Sequence, residues 1–209
     1  MLLSYITGRS QLGRELVPCI AAALRAGVDI VQIREKDLPA REFHALVSQV
    51  LQLPNPYQSR ILVNERVDVA LATGADGVHL PSGSPAVRDL RRIAPVPFTI
   101  GVSCHSREEV EEAADSGADF VVFGPVYETP SKKGYGSPQG VERLREVCRS
   151  VEIPVLALGG LRLDNAAACI EAGAAGLAAI SLFQQREDLA DTVRQLRALG
   201  DHAPDSLVR

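Results

Sequence analysis

Gly117-Ala118-Asp119-Phe120-Val121-Val122-Phe123 runs directly into Gly124-Pro125-Val126-Tyr127-Glu128-Thr129-Pro130-Ser131-Lys132-Lys133-Gly134. The first half reads as a buried apolar strand over 119–123, entered from a glycine turn. The second half is a polar loop that ends before the next helix near Pro138. Strand, polar loop, helix is how α/β proteins build an anion site, because loop amides, hydroxyls and a lysine converge on phosphate oxygens. A solvated surface loop would have the same composition, so the rest of the chain has to decide.

The glycine turn has echoes. Gly27-Val28-Asp29, Gly74-Ala75-Asp76-Gly77, Gly117-Ala118-Asp119 and Gly173-Ala174-Ala175-Gly176 each stand between a helical pattern and a short apolar run. A glycine there takes the left-handed conformation that ends a helix and lets the chain turn into a strand. Strands are expected at 2–7, 28–33, 61–63, 77–80, 98–102, 119–123, 154–158 and 176–180, with Ser181 at the end of the last. Helices are expected over Gln11–Arg25, from Pro39 to Val50, Val67–Thr73, Pro85–Ile93, from Ser106 (a capping box with Glu109), Gln139–Cys148, Asp164–Glu171 and Leu189–Leu199. Eight strand-helix alternations without a linker predict a single-domain (β/α)8 TIM barrel over 1–200, with a tail at 201–209. A doubly wound open sheet is the alternative, but no G-x-G-x-x-G follows the first strand.

The composition agrees. Of 209 residues, 46% are apolar and only 4% aromatic, with no Trp. A core of Val, Ile, Leu and Ala suits buried parallel strands. A net charge of −4 lacks the basic excess of a nucleic-acid binder. No apolar run is long enough to cross a bilayer, and the N-terminus does not read as a signal peptide, so no membrane partner and a cytoplasmic location are expected. The four cysteines, Cys19, Cys104, Cys148 and Cys169, form no C-x-x-C pair and read as reduced thiols, three on helices and Cys104 at a strand end.

In a barrel of this kind, function collects at the carboxyl ends of the strands. Those ends carry Gln32, Arg34 and Lys36; Asn64 and Glu65; His79, Ser82 and Ser84; Ser103 and His105; Thr129, Ser131 and Lys132; Gly159-Gly160; and Ser181. Singly, each has a plain structural use: rim ion pairs, a helix cap at Asn64, hydrogen-bonded core histidines, a tight glycine turn. Together they put at least three cations and two phosphate-type sites on one rim. Two anions, or a diphosphate and a monophosphate, fit such a mouth. No paired carboxylates or His-rich metal cluster point to hydrolysis.

Six ordered stretches resemble a known family: 31–36 (VQIREK), 63–68 (VNERVD), 74–80 (GADGVHL), 101–106 (GVSCHS), 123–126 with 129–132 (FGPV, TPSK), and 158–160 (LGG). They are similar to thiamine phosphate synthases and to the related TenI-type thiazole tautomerases, over nearly the whole chain. The resemblance implies a transferase that joins hydroxymethylpyrimidine diphosphate to thiazole phosphate and releases pyrophosphate. Carried over, Gln32, Arg34, Lys36, Asn64 and Lys132 would hold the diphosphate. Ser103 would lie against the pyrimidine, and Thr129, Ser131, Gly160, Ile180 and Ser181 would seat the thiazole and its phosphate. Lys132 and Ser103 are then the candidate catalytic residues, and Glu65 the candidate Mg²⁺ ligand.

Three positions depart from the family patterns. Glu65 follows Asn64 where the synthases carry Asp. Ser84 stands where a second magnesium-binding Asp would be. Pro125 stands where the tautomerases carry their catalytic His. Two further readings therefore stand beside the synthase: a tautomerase using His105 or Glu65 as base, and a non-catalytic binder of a phosphorylated thiamine precursor. Assembly into a homo-oligomer is left open by the sequence.

Overall fold

One device, repeated, returns the chain to the barrel. The structure, a computed structural model, describes residues 1–13, 15–129, 138–184 and 188–201. Gly27, Gly74, Gly117 and Gly173 all have positive φ, between 71° and 101°. The next residue in each case is buried and donates its N–H to the carbonyl five residues back: Val28 to Ala23, Ala75 to Ala70, Ala118 to Ala113 and Ala174 to Cys169, at 3.0–3.3 Å. This closes the helix in a Schellman turn.

The acid that follows has a second job. Asp29, Asp76 and Asp119 accept the backbone N–H of Leu3, Ile61 and Ile100 at 2.6–2.7 Å, each on the preceding strand. Ala175 occupies the fourth place and has no carboxylate to offer. Asp76→Ala should therefore lower stability by about 1.5–3 kcal/mol, the scale of a hydrogen bond to a charged group. A urea midpoint that does not move would show that the Asp76–Ile61 contact contributes nothing.

The eight parallel strands are β1 (Leu2–Ile6), β2 (Ile30–Ile33), β3 (Arg60–Asn64), β4 (Gly77–Leu80), β5 (Thr99–Cys104), β6 (Phe120–Phe123), β7 (Val155–Leu158) and β8 (Gly176–Ala179). They pair in chain order, and β8 pairs with β1 to close the barrel. The helices are α1 (Leu16–Ala26), α2 (Ala40–Leu51), α3 (Val67–Thr73), α4 (Val87–Arg91), α5 (Arg107–Asp115), α6 (Gly140–Ser150), α7 (Ala166–Glu171), α8 (Ser181–Gln184) and α9 (Leu189–Asp201). The expected (β/α)8 barrel is present. No helix among the described residues is long and apolar enough to cross a membrane.

Strand parity sorts the core into two shells. Odd-numbered residues of β1 to β3, such as Leu3, Tyr5, Val31, Ile33, Ile61 and Val63, join the outer cluster beneath the helices. Ile6, Ile30, Leu62, Phe120, Val122, Leu156 and Ala178 form a separate inner cluster, with Leu158 and Ile180 packed against it. The lumen is thus a filled core, and its lower part is apolar.

Several element ends shift by one or two residues, and three differences bear on how the chain is read. The first helix begins at Leu16, not Gln11; residues Arg9–Gln11 make a single 3₁₀ turn instead. A helix started at Gln11 would hold Pro18 in its interior, where proline removes a bond and clashes with the preceding turn; starting at Leu16 puts Pro18 harmlessly in the first turn. Ser181 does not end a strand but opens α8. The last helix runs to Asp201, the first residue of the expected tail; the rest of that tail lies outside the described residues. The capping box at Ser106 forms with a variation. Ser106 Oγ accepts Glu109 N–H at 3.2 Å, but the Glu109 carboxylate reaches one residue further, to His105 N–H at 2.6 Å.

Candidate active site

Above the apolar floor, the inward positions of four consecutive strands become polar. Gln32 on β2 donates from Nε2 to Asn64 Oδ1 on β3 at 2.8 Å. His79 on β4 bonds through Nε2 to Ser103 Oγ on β5 at 2.8 Å. Asn64 lies opposite His79 in the register, and His79 opposite Gly101. Gln32, Asn64, His79 and Ser103 therefore make one row across the mouth. The His79 ring also packs on Phe120, with centroids 5.8 Å apart. Burial pushes the His79 imidazole down to about 4, so it is neutral at pH 7. The sequence had put His79 on the rim; it is 2% exposed and belongs to the inner wall.

The cations stand just outside this row. Arg34 follows β2 and is half-buried; Lys36 is exposed and pairs with Glu65 at 3.7 Å. Glu65 has φ 63°, a left-handed conformation unusual for a residue other than glycine. Its N–H donates to His79 O at 2.8 Å, and the chain turns at once, with Val67 N–H on Glu65 O at 3.0 Å. Its carboxylate thereby projects at the mouth. Ser84 Oγ donates to Pro81 O at 2.8 Å and closes its own turn.

A magnesium ion can be tested against these donors. Among the described residues no group of three or more His, Cys, Asp or Glu side chains is arranged to hold a metal. Glu65 supplies one exposed carboxylate. Magnesium is commonly held by one or two carboxylates together with substrate phosphates and water. The residues fit an ion held jointly with a diphosphate, and not a protein-built cage.

The other half of the mouth is built from backbone. Val126 N–H donates to Leu158 O and Tyr127 N–H to Gly159 O, so the loop after β6 runs alongside the loop after β7. Gly160 has φ 63°, and a Cβ there would lie 2.5 Å from Glu128 O. Only glycine permits this approach. Asn165 Nδ2 donates to Gly160 O, and Tyr127 Oη donates to Asn165 O, each at 3.0 Å. Thr129 is half-buried at the described end of this loop, and Ile180 is half-buried against the inner cluster. Ser181 is exposed at the start of α8. Ser131 and Lys132 lie outside the described residues. His105 is held through Nδ1 to Gly124 O at 2.5 Å.

Ser84 and Ser103 both line a crevice of about 140 Å³ between residues 80–87 and α5. Cys104 lines it too, with a thiol that burial pushes up to about 12, so it offers no thiolate for catalysis. All four cysteines are free.

Two side chains near the mouth were not among the candidate site residues read from the sequence. Glu35 is 5% exposed, and burial raises its carboxyl above the usual range. It accepts Thr7 Oγ1 at 2.6 Å and Arg9 N–H at 3.0 Å. Gln184, on α8, accepts Gly8 N–H at 2.8 Å and donates to Gly8 O at 3.1 Å. Parity could have flagged Glu35, which falls in the odd series with Val31 and Ile33. Nothing local marks Gln184, whose partner is 176 residues away.

The profile of the thiamine monophosphate synthase family matches residues 3–183. A thiamine-phosphate synthase of Roseiflexus sp. (strain RS-1) is 42% identical over 209 residues, covering 100% of this chain and 89% of its own. That of Roseiflexus castenholzii is also 42% identical, covering 86% and 79%. A solved thiamine phosphate pyrophosphorylase from Pyrococcus furiosus superposes with a TM-score of 0.85 at 36% identity, covering 97% of this chain and 96% of its own. The chain belongs to the thiamine monophosphate synthase family.

Proposed function

We propose that this chain is a thiamine-phosphate synthase, a transferase of thiamine biosynthesis that joins hydroxymethylpyrimidine diphosphate to thiazole phosphate. The observation that carries the reading is the Gln32–Asn64 pair beside Arg34 and Lys36 at the ends of β2 and β3. Amide and cationic side chains stand together at these strand ends, the donor types that a diphosphate requires. The relatives' names support the same reading.

In the reaction, the bond between the pyrimidine methylene carbon and the diphosphate oxygen breaks. Pyrophosphate leaves with the electron pair, and the thiazole nitrogen lone pair forms the new carbon–nitrogen bond. Little proton transfer is needed; the demand is for charge stabilisation on the leaving group and placement of the nucleophile. Gln32, Arg34, Lys36 and Asn64 serve the leaving group, with Lys132 from the loop after β6. Ser103, fixed by neutral His79, orients the pyrimidine. Thr129, Ser131, Gly160, Ile180 and Ser181 seat the thiazole phosphate. Glu65 would hold Mg²⁺ against the diphosphate, and the ion would neutralise part of the leaving group's charge.

The test is an end-point assay for thiamine phosphate with both substrates, with and without Mg²⁺. Magnesium-dependent product is the expected result. No product, with thiazole phosphate still bound by calorimetry, would overturn the synthase reading in favour of a tautomerase or a binder.

A further inference from the structure

The loop after β1 is tied down on both sides. Thr7 is fully buried, and its N–H donates to Gln32 O at 2.9 Å. Thr7 Oγ1 donates its one proton to Glu35 Oε1 at 2.6 Å and accepts Arg34 N–H at 2.8 Å. Arg9 N–H occupies the other Glu35 oxygen at 3.0 Å. On the far side, Gln184 grips both polar backbone atoms of Gly8. The backbone on either side of Ile33 is thus fixed to β1 through Thr7, and those two residues are Gln32 and Arg34.

We propose that Thr7 and Glu35 are positioning residues that set the direction from which Gln32 and Arg34 meet a diphosphate. This rests on reading the end of β2 as the diphosphate site. The hydroxyl is the joint of the assembly. A hydroxyl has one proton to give. Because the acceptor-only Glu35 carboxylate takes that proton, the Thr7 lone pairs face Arg34 N–H. Without the carboxylate, the hydroxyl is free to turn its proton elsewhere and release Arg34. Burying a carboxylate is costly unless it is well paired. Burial does raise the Glu35 pKa, so the group is not there because burial suits it.

The experiment uses the full chain and two readouts: KM for each substrate, and inorganic pyrophosphate binding by calorimetry. Thr7→Val keeps the shape and removes the hydroxyl. It should raise KM for the pyrimidine diphosphate and weaken pyrophosphate binding by about tenfold, with KM for thiazole phosphate changed by less than about twofold. Thr7→Ser should restore both to within about threefold of wild type. Asp76→Ala, at the opposite end of the barrel, is the control: it should lower Tm without splitting the two KM values. If Thr7→Val does not fold, Glu35→Gln decides by the same split, since an amide has one acceptor oxygen for two donors and leaves either the Thr7 hydroxyl or the Arg9 N–H without its acceptor. Equal KM changes for both substrates, unchanged pyrophosphate binding, or Thr7→Ser as impaired as Thr7→Val would each overturn the proposal. A wild-type chain that forms no thiamine phosphate and binds no pyrophosphate would overturn the synthase reading and this proposal with it. A wild type that does both, beside a Thr7→Val that matches it, would overturn this proposal alone.

Discussion

Gly101→Ala should cost about 3 kcal/mol, near the upper end for overpacking a well-filled core. A Cβ at this position would lie 2.3 Å from Phe120 Cζ and 2.7 Å from His79 Nδ1. Neither ring has room to retreat. Phe120 is wedged in the inner cluster, and His79 is held by Ser103. Any shift that relieves the clash loosens the His79–Ser103 bond, so the change should also reduce turnover. For a chain of this size Tm should fall by roughly 6–12 °C. Trimming the clashing ring checks the cause: in Gly101→Ala with Phe120→Leu, the two losses should sum to less than their separate values. A single variant that loses less than about 1 kcal/mol would mean that the lumen has slack at this level, against the close packing usual in protein interiors.

The same row shows where the sequence could be read and where it could not. Barrel order followed from local signals, because each glycine turn and each apolar run is written in adjacent residues. Gln32, Asn64 and Ser103 were legible as strand-end polar residues, and the fold brings them to one mouth. What could not be read is partner choice across the barrel. Nothing near His79 says that Gly101 leaves the gap its ring fills, or that Ser103 receives its Nε2. Nothing near Gln184 points to Gly8. The His79 contacts depend on how β4 pairs with β5, and the Gln184–Gly8 contact on closure between β8 and β1; neither pairing is written in a single segment. The start of α1 failed for a local reason instead: apolar spacing continues back through residues that Pro18 excludes from the helix, whereas α3 and α9 begin where expected.

Stability should depend on acid through His79. Its imidazole, ordinarily near 6.5, is pushed down to about 4 by burial in the lumen. The folded state therefore holds it neutral where the unfolded chain protonates it. Between these values the unfolded state binds more protons, so stability rises with pH. The contribution is whole above 6.5 and is lost as pH falls towards 4. A depression of this size corresponds to roughly 3 kcal/mol over the full window, and to about 2 kcal/mol between pH 7.5 and pH 5. Glu35 acts in the opposite sense, since its raised pKa makes the folded state bind the extra proton above its ordinary range. A wild-type profile alone would mix the two. His79→Gln separates them, because Glu35 is common to both chains. The stability gap between wild type and His79→Gln, measured by urea unfolding, should move by about 2 kcal/mol in the variant's favour from pH 7.5 to pH 5. Parallel profiles would mean that the His79 imidazole takes up its proton inside the folded barrel. Ser103 would then face a cation, and the neutral wall assigned to the pyrimidine side of the mouth would be wrong.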